Sequence, residues 1–277
     1  MNVFDINGNA LEKEKIRVCA FNVGNFANGQ SGTALGTDEL YNKFINTFRK
    51  CNADIYMFCE WDVNWNSEEK SEDVLGFLKP YHSTYCKNIT DGYVAQMIYS
   101  DFAFKSEYHE DYTSEPQRYF IDDVIQINGK DIHLIATHLT IYTKEQAIAQ
   151  IQQLLNYISN NNIEYYIIGG DMNHGIHTQD DLPQTNEERI AITLEEVGMF
   201  ESLGGKSVQG SGWGLKDINY LFNTILHRGY SPIDGTTNGI AALDNIIVSP
   251  GIRISNVEMI ITDASDHDAL CADLIIL

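Results

Sequence analysis

Basic residues are scarce in this chain: 18 Lys and Arg stand against 39 Asp and Glu in 277 residues, a formal net charge of −21. Such a field repels nucleic-acid backbones and anionic membranes at long range, so a polyanionic ligand would need a local basic patch or a bound cation. With so few basic residues, the cation is the better expectation. Paired cysteines are missing as well. Cys19, Cys51, Cys59, Cys86 and Cys271 show no C-x-x-C spacing, and Cys19 and Cys59 lie in apolar runs, which predicts buried free thiols in a reducing compartment. No apolar run reaches membrane-spanning length, and Met1–Lys15 lacks the apolar stretch of a secretory signal. The expectation is a cytoplasmic monomer with no stable membrane association. Absent too are a long-period repeat, a low-complexity tract and an interdomain linker. Residues 1–15 therefore read as a polar lead-in and residues 16–277 as one domain.

What is present is a series of apolar runs that end in polar side chains. Ile16–Val23 alternates as a strand with Asn22 near its exit. Thr37, Asp38 and Glu39 open a helix whose apolar stripe is Leu40, Tyr41, Phe44, Phe48 and Cys51. Ala53–Cys59 is the next strand, closed by Glu60 and Trp61. A helix is predicted over Glu68–Leu78, then β-like runs at Tyr81–Cys86, Tyr93–Tyr99 and Phe102–Tyr108.

Arg118–Ile127, the turn Asn128-Gly129 and Asp131–Leu139 predict a hairpin, because Asn-Gly supplies the positive φ values of a tight turn. Its second strand carries His138 near its end. Thr143 and Gln146 form a capping box for a helix with Ala147, Ile148, Ile151, Leu154, Leu155 and Ile158 on one face. The run from Tyr165 to Ile168 then ends in Gly169-Gly170-Asp171-Met172-Asn173-His174. On its own, such a stretch is most simply a strand followed by an Asx turn. If the chain stays extended, Asp171 and Asn173 share a face and aim at one ligand.

Beyond it, a helix is predicted over Glu187–Val197, a flexible loop over Gly204–Gly214 and a short strand over Tyr220–Thr224. Leu243–Ser249, carrying Asp244, Ile252–Thr262 and Ala269–Ile276 close the chain as strands, with Asp266 and His267 between the last two. Strands outnumber helices and mostly come in consecutive pairs, which suggests two packed sheets with helices outside.

In order, Phe-Asn-Val at residues 21–23, Glu60 closing the second strand, Thr137-His138-Leu139, Gly170-Asp171-Met172-Asn173, Leu243-Asp244-Asn245-Ile246 and Ser265-Asp266-His267 resemble the endonuclease/exonuclease/phosphatase, or DNase I-like, superfamily. The resemblance implies an α/β four-layered αββα sandwich with two mainly antiparallel sheets flanked by helices. It also implies divalent-metal-dependent phosphodiester hydrolysis, with nuclease action first. The substrate would be a phosphoester, DNA or a nucleotide among the candidates. An inositol phosphate or sphingomyelin-like lipid substrate, or a catalytically silent binding module, is the alternative.

By the same resemblance, Glu60 and Asn22 would bind the metal and Asp266 would join its shell. Mg²⁺ suits such oxygen donors, with Mn²⁺ as a substitute. His267, held by Asp244, would activate water together with Asp171, while His138 and Asn173 would donate hydrogen bonds to the phosphoryl group. Arg118 would meet the phosphate. Two residues depart from the family pattern. Cys59 stands where glutamine is usual, and His174, where a small residue is common, could touch a leaving group or cap the loop.

Overall fold

In the computed structural model, which describes residues 15–24, 38–61, 81–85, 95–115, 118–140, 144–173, 206–207, 244–265 and 267–277, the apolar runs assemble into two six-stranded sheets. The first contains β1 (Ile16–Asn22), β2 (Ile55–Trp61), β3 (Tyr81–Tyr85), β4 (Ala95–Ser100), β11 (Ile252–Ile260) and β12 (Ala269–Ile276), in the order β11-β12-β1-β2-β4-β3. The second contains β5 (Ser106–Asp111), β6 (Tyr119–Ile127), β7 (Lys130–His138), β8 (Tyr166–Asp171), β9 (Lys206–Ser207) and β10 (Asp244–Val248), in the order β5-β6-β7-β8-β10-β9. Among the described strands only β1–β2 and β7–β8 pair in parallel, and both pairs are joined through a helix, as a parallel connection requires. Those helices are α1 (Asp38–Cys51) and α2 (Lys144–Asn160).

The layers follow from side-chain alternation. Val18, Ala20, Ile55 and Met57 of the first sheet and Ile132, Leu134, Ala136, Ile167, Ile246 and Val248 of the second point inward and share one core. On the outer face of the first sheet, Cys19, Phe21, Tyr56 and Phe58 pack on Phe44, Ile45, Phe48 and Cys51 of α1. On the outer face of the second, Ile135, Ile168 and Ile247 pack on Ile151, Leu154 and Ile158 of α2. This is the expected αββα order. α1 ends where Asn52, at φ 44°, turns the chain, and its last carbonyls are met by Asn52 N–H and the Tyr56 hydroxyl, both donating to Phe48 O at 3.0 Å.

The Asn128-Gly129 hairpin is present, both residues having positive φ. One strand differs from its predicted position. The run Phe102–Tyr108 is not a strand throughout; β5 begins only at Ser106 and runs through the polar residues to Asp111. Phe102 and Phe104 instead anchor the preceding bend against the central core, and β5 is an exposed edge strand whose pairing does not depend on burying apolar residues. Where a flexible loop was expected, Lys206 and Ser207 add a two-residue strand to β10. The helices predicted over Glu68–Leu78 and Glu187–Val197, the strand over Tyr220–Thr224, and Thr143, His174 and Asp266 lie outside the described residues. No described helix is long and apolar enough to cross a membrane.

Candidate active site

The inward rows of four strands each end in a polar group. Val18 and Ala20 lead to Asn22, Leu134 and Ala136 to His138, Ile167 and Gly169 to Asp171, and Val248 and Ile246 to Asp244. Register brings them side by side, since His138 pairs with Asp171 across β7 and β8, and Asp244 pairs with Asp171 across β10 and β8. The polar cluster is therefore the end of the sandwich core, where the two sheets present their last inward residues together.

Two backbone devices complete the cluster. Alternation would send Glu60 outward with Tyr56 and Phe58, toward α1. Instead β2 carries a register shift between Phe58 and Trp61, and Glu60 adopts φ 54°, so its carboxylate turns inward. A left-handed glutamate is strained by about 1 kcal/mol or more, a cost of the kind that collects at functional sites. The second device is Gly170 at φ 141°. A Cβ there would lie 1.9 Å from the Thr137 carbonyl oxygen, so β7 and β8 can approach this closely only with glycine.

The Asn22 side-chain amide donates to Asp171 Oδ2 at 2.8 Å and to Glu60 Oε1 at 3.2 Å, and its own Oδ1 accepts from Gly24 N–H at 2.9 Å. His138 Nε2 lies 3.4 Å from Asp171 Oδ2 and 3.9 Å from Glu60 Oε1. His267 Nε2 lies 3.7 Å from the same Asp171 oxygen, while its Nδ1 meets Asp244 Oδ2 at 2.6 Å. Three sides of Asp171 are thus occupied by Asn22, His138 and His267. On the fourth, Asn173 N–H donates to Asp171 Oδ1 at 2.8 Å, closing an Asx turn with Asn173 at φ 50°. The simple turn and the convergent site are the same object. Because the chain turns there, Asn173 does not stay extended beside Asp171; its amide reaches back to the Leu139 carbonyl at 2.9 Å.

The electrostatics follow from burial and neighbours. Burial is the main reason that the His138 imidazole is pushed down to about 3, and the nearby Arg118 charge adds to it, so the ring is neutral near pH 7. Burial by itself would raise Asp171, but His267, His138, the Asn22 amide and the Asn173 N–H together hold it below the usual carboxylate value. Since His138 is neutral, its help to Asp171 is that of a polar ring at 3.4 Å rather than of a cation. Glu60 is the open member, its side chain 27% exposed against 2% for Asp171, so solvent reaches the cluster from the Glu60 side.

Glu60, His138 and Asp171 each offer a ligand atom within 4.8 Å of the others. Two carboxylates held against one amide nitrogen leave mutual repulsion that a divalent cation would relieve, and their oxygens suit a hard ion. The residues therefore fit a metal. In the present arrangement Asn22 turns its nitrogen to the carboxylates; to act as a ligand it would flip, and an amide's orientation is set by its hydrogen-bond partners.

Arg118, with Nε 3.8 Å from Glu115 Oε1, acts on His138 electrostatically. Trp61, which follows Glu60, is 4% exposed and packed between Phe58 and Tyr99 on the outer face of the first sheet. Two contributors had no role assigned from the sequence. Ser265 Oγ donates to the Asn22 carbonyl at 2.8 Å and accepts from His267 N–H at 3.2 Å, tying the first strand to the last histidine. Cys59 keeps the inward position that alternation gives it after Ile55 and Met57. Its thiol donates to the Thr137 carbonyl and accepts from Asp171 N–H, each at 3.3 Å, and so links the two sheets beneath the carboxylates. Ser265 was visible only as the first residue of the Ser265-Asp266-His267 motif, and Cys59 only as a departure from the family pattern.

The edge of this two-sheet sandwich gathers Asn22, Glu60, His138 and His267 around the Asp171 carboxylate. Residues 19–267 match the Endonuclease/Exonuclease/phosphatase family, and the chain belongs to that family. The family's reactions, as its name states, are breaks of phosphoester bonds. No curated protein matches the sequence.

Solved structures share the fold at low identity. The catalytic domain of human Nocturnin, determined with bound sulfate, is 16% identical over 96% of this chain and 95% of its own, with a TM-score of 0.63. TDP2 from C. elegans is 15% identical over 97% of this chain and 77% of its own, with a TM-score of 0.62. ANGEL2, a 2',3'-cyclic phosphatase in complex with adenosine-2',3'-vanadate, is 11% identical over 96% of this chain and 97% of its own, with a TM-score of 0.61.

Proposed function

We propose that the protein is a divalent-metal-dependent phosphodiesterase acting on nucleic acid or a nucleotide, by in-line attack of an activated water on phosphorus. The observation that carries this reading is the convergence of His267, His138 and Asn22 on Asp171, with His267 held by Asp244. Asp244 fixes the imidazole so that Nδ1 carries the proton and Nε2, facing the cluster, is placed to take a proton from water. Asp171, kept ionised, accepts a hydrogen bond from that water and orients its lone pair. Neutral His138 and the remaining amide hydrogen of Asn173 serve as donors to the phosphoryl oxygens as negative charge builds there. Arg118 supplies positive charge on the same side.

Glu60 and Asp171, with Asn22 after an amide flip, would hold Mg²⁺ or Mn²⁺, and Asp266 is assigned to the same shell. When bound, that ion neutralises phosphate charge and polarises the phosphoryl oxygen. It also answers the charge problem, since a net −21 would otherwise repel the substrate. His174 is assigned to the substrate side. A small nucleotide phosphodiester is the second reading, and the same charge favours it, because a polymer presents many phosphates to the acidic surface and a nucleotide few.

The test is a panel of plasmid DNA, single-stranded oligonucleotides, RNA, cyclic and linear dinucleotides, phosphoinositides and sphingomyelin, with Mg²⁺ or Mn²⁺ and with chelator. Metal-dependent turnover of a polynucleotide or nucleotide diester is expected. Turnover confined to lipid or monoester substrates would overturn the substrate assignment, and none on any member would favour a silent binding module.

A further inference from the structure

Three of the cysteines that look scattered in the sequence meet in space. Cys19 on β1 and Cys271 on β12 are direct cross-strand partners, and Cys51, the last residue of α1, comes down on them from the helix layer. Their sulfurs all lie within 4.8 Å of one another, each residue is 0% exposed, and none is in a disulfide. Cys19 belongs to the outward row of β1 and Asn22 to the inward row, so this cluster and the phosphoesterase site occupy opposite faces of the same strand.

Buried cysteines commonly act only as small apolar residues. Packing accounts for one thiol in a wall of phenylalanine and tyrosine, but it has no reason to bring three sulfurs from three separate elements to one point.

We propose that Cys19, Cys51 and Cys271 form a buried site for one soft, thiophilic cation, with Cu(I) as the ion that matches it. Thiolate donors select soft ions, which separates this cluster from the oxygen-rich site at Glu60 and Asp171. Structural zinc takes four ligands, and among the described residues the cluster supplies three sulfurs. A fourth place filled by water is unsuited to a position with no solvent exposure. An ion content with three sulfurs and no water is that of a trigonal Cu(I) thiolate.

Charge is provided for in part. Arg17 Nε donates to the Cys51 carbonyl at 2.7 Å, which sets a guanidinium at the end of α1 that carries the third sulfur. Binding is ligand exchange without electron transfer. The thiol protons pass to solvent, three copper–sulfur bonds form, and copper remains Cu(I). The ion would then tie β1, β12 and α1 together behind the active face.

The experiment is an anaerobic titration of the full chain with Cu(I) against a chromophoric Cu(I) chelator, followed by X-ray absorption of the loaded protein. Wild type is expected to withhold one equivalent, as is Glu60→Gln, and the absorption to show sulfur neighbours alone, three to the copper. Cys19→Ala and Cys271→Ala are expected to lose that equivalent, and Zn²⁺ not to be withheld from a zinc chelator. Failure of wild type to withhold Cu(I), or nitrogen or oxygen ligands on the bound copper, would overturn the proposal even if the cysteine variants do not fold. Full retention by folded Cys19→Ala and Cys271→Ala would overturn it as well.

Discussion

Asp123 is a carboxyl group in the wrong place for an ionised side chain. On β6 it belongs to the inward row with Ile121 and Ile125, is 1% exposed, and reaches across the sandwich to the Ser83 hydroxyl of β3. Burial pushes it up to about 7, and the nearby Glu107 and Asp122 charges add to this, while the Ser83 hydrogen bond opposes them. The folded protein therefore holds this proton more tightly than the unfolded chain does. The stability contributed by neutral Asp123 is complete below about pH 3.8 and is lost as pH rises through about 7. At about 1.4 kcal/mol per pH unit, the gap between 3.8 and about 7 sets a ceiling of roughly 4 kcal/mol. Asp123→Asn keeps the shape and a partner for Ser83 but removes the titration. In urea denaturation at a series of pH values, the variant should match wild type at the acid end. It should then gain on wild type progressively through neutrality and hold a constant advantage above it. A difference that does not change with pH, or a variant that falls behind as pH rises, would refute the reasoning.

Other expectations rest on single features. Gly170→Ala puts a Cβ against the Thr137 carbonyl at a φ that alanine avoids, and should lower unfolding free energy by about 2 kcal/mol or more, read by denaturant midpoint. Glu60→Gly relieves a left-handed backbone, so stability should hold or rise by about 1 kcal/mol while metal-dependent turnover is lost. A clear loss of stability would mean that the carboxylate contributes more to the fold than its backbone strain costs. Asp244→Asn preserves size but not the charge facing His267 Nδ1, and should lower kcat by roughly 100-fold or more with KM little changed.

Much of the layout was legible because the fold ends its apolar rows in chemistry. Asn22, His138 and Asp171 each close a strand and Asp244 opens one, the alternation of all four is plain in the sequence, and adjacent strands carry those ends to one place. Glu60 was legible as a strand-ending acid, but not the turn that aims it: period-two alternation puts it on the wrong face, and only the bulge and its positive φ correct this. Asn173 shows the reverse case. Extended spacing predicts a shared face, and the Asx turn replaces that with a bond back to Leu139. β5 was misplaced because Phe102 and Phe104 suggest a strand, whereas a ladder on an exposed edge is held by backbone hydrogen bonds that leave no apolar pattern. The meeting of Cys19, Cys51 and Cys271 depends on register and helix docking across most of the chain, which no local spacing encodes.

The most direct test of the proposed chemistry is the initial rate of bis-p-nitrophenyl phosphate hydrolysis in Mg²⁺ for wild type and His267→Ala, with far-ultraviolet circular dichroism as the control for folding. The expected result is turnover that chelator abolishes in wild type and that falls by about 100-fold or more in the folded variant. Equal, metal-independent hydrolysis by the two proteins would contradict the assignment of His267, Asp244 and Asp171 as the water-activating group.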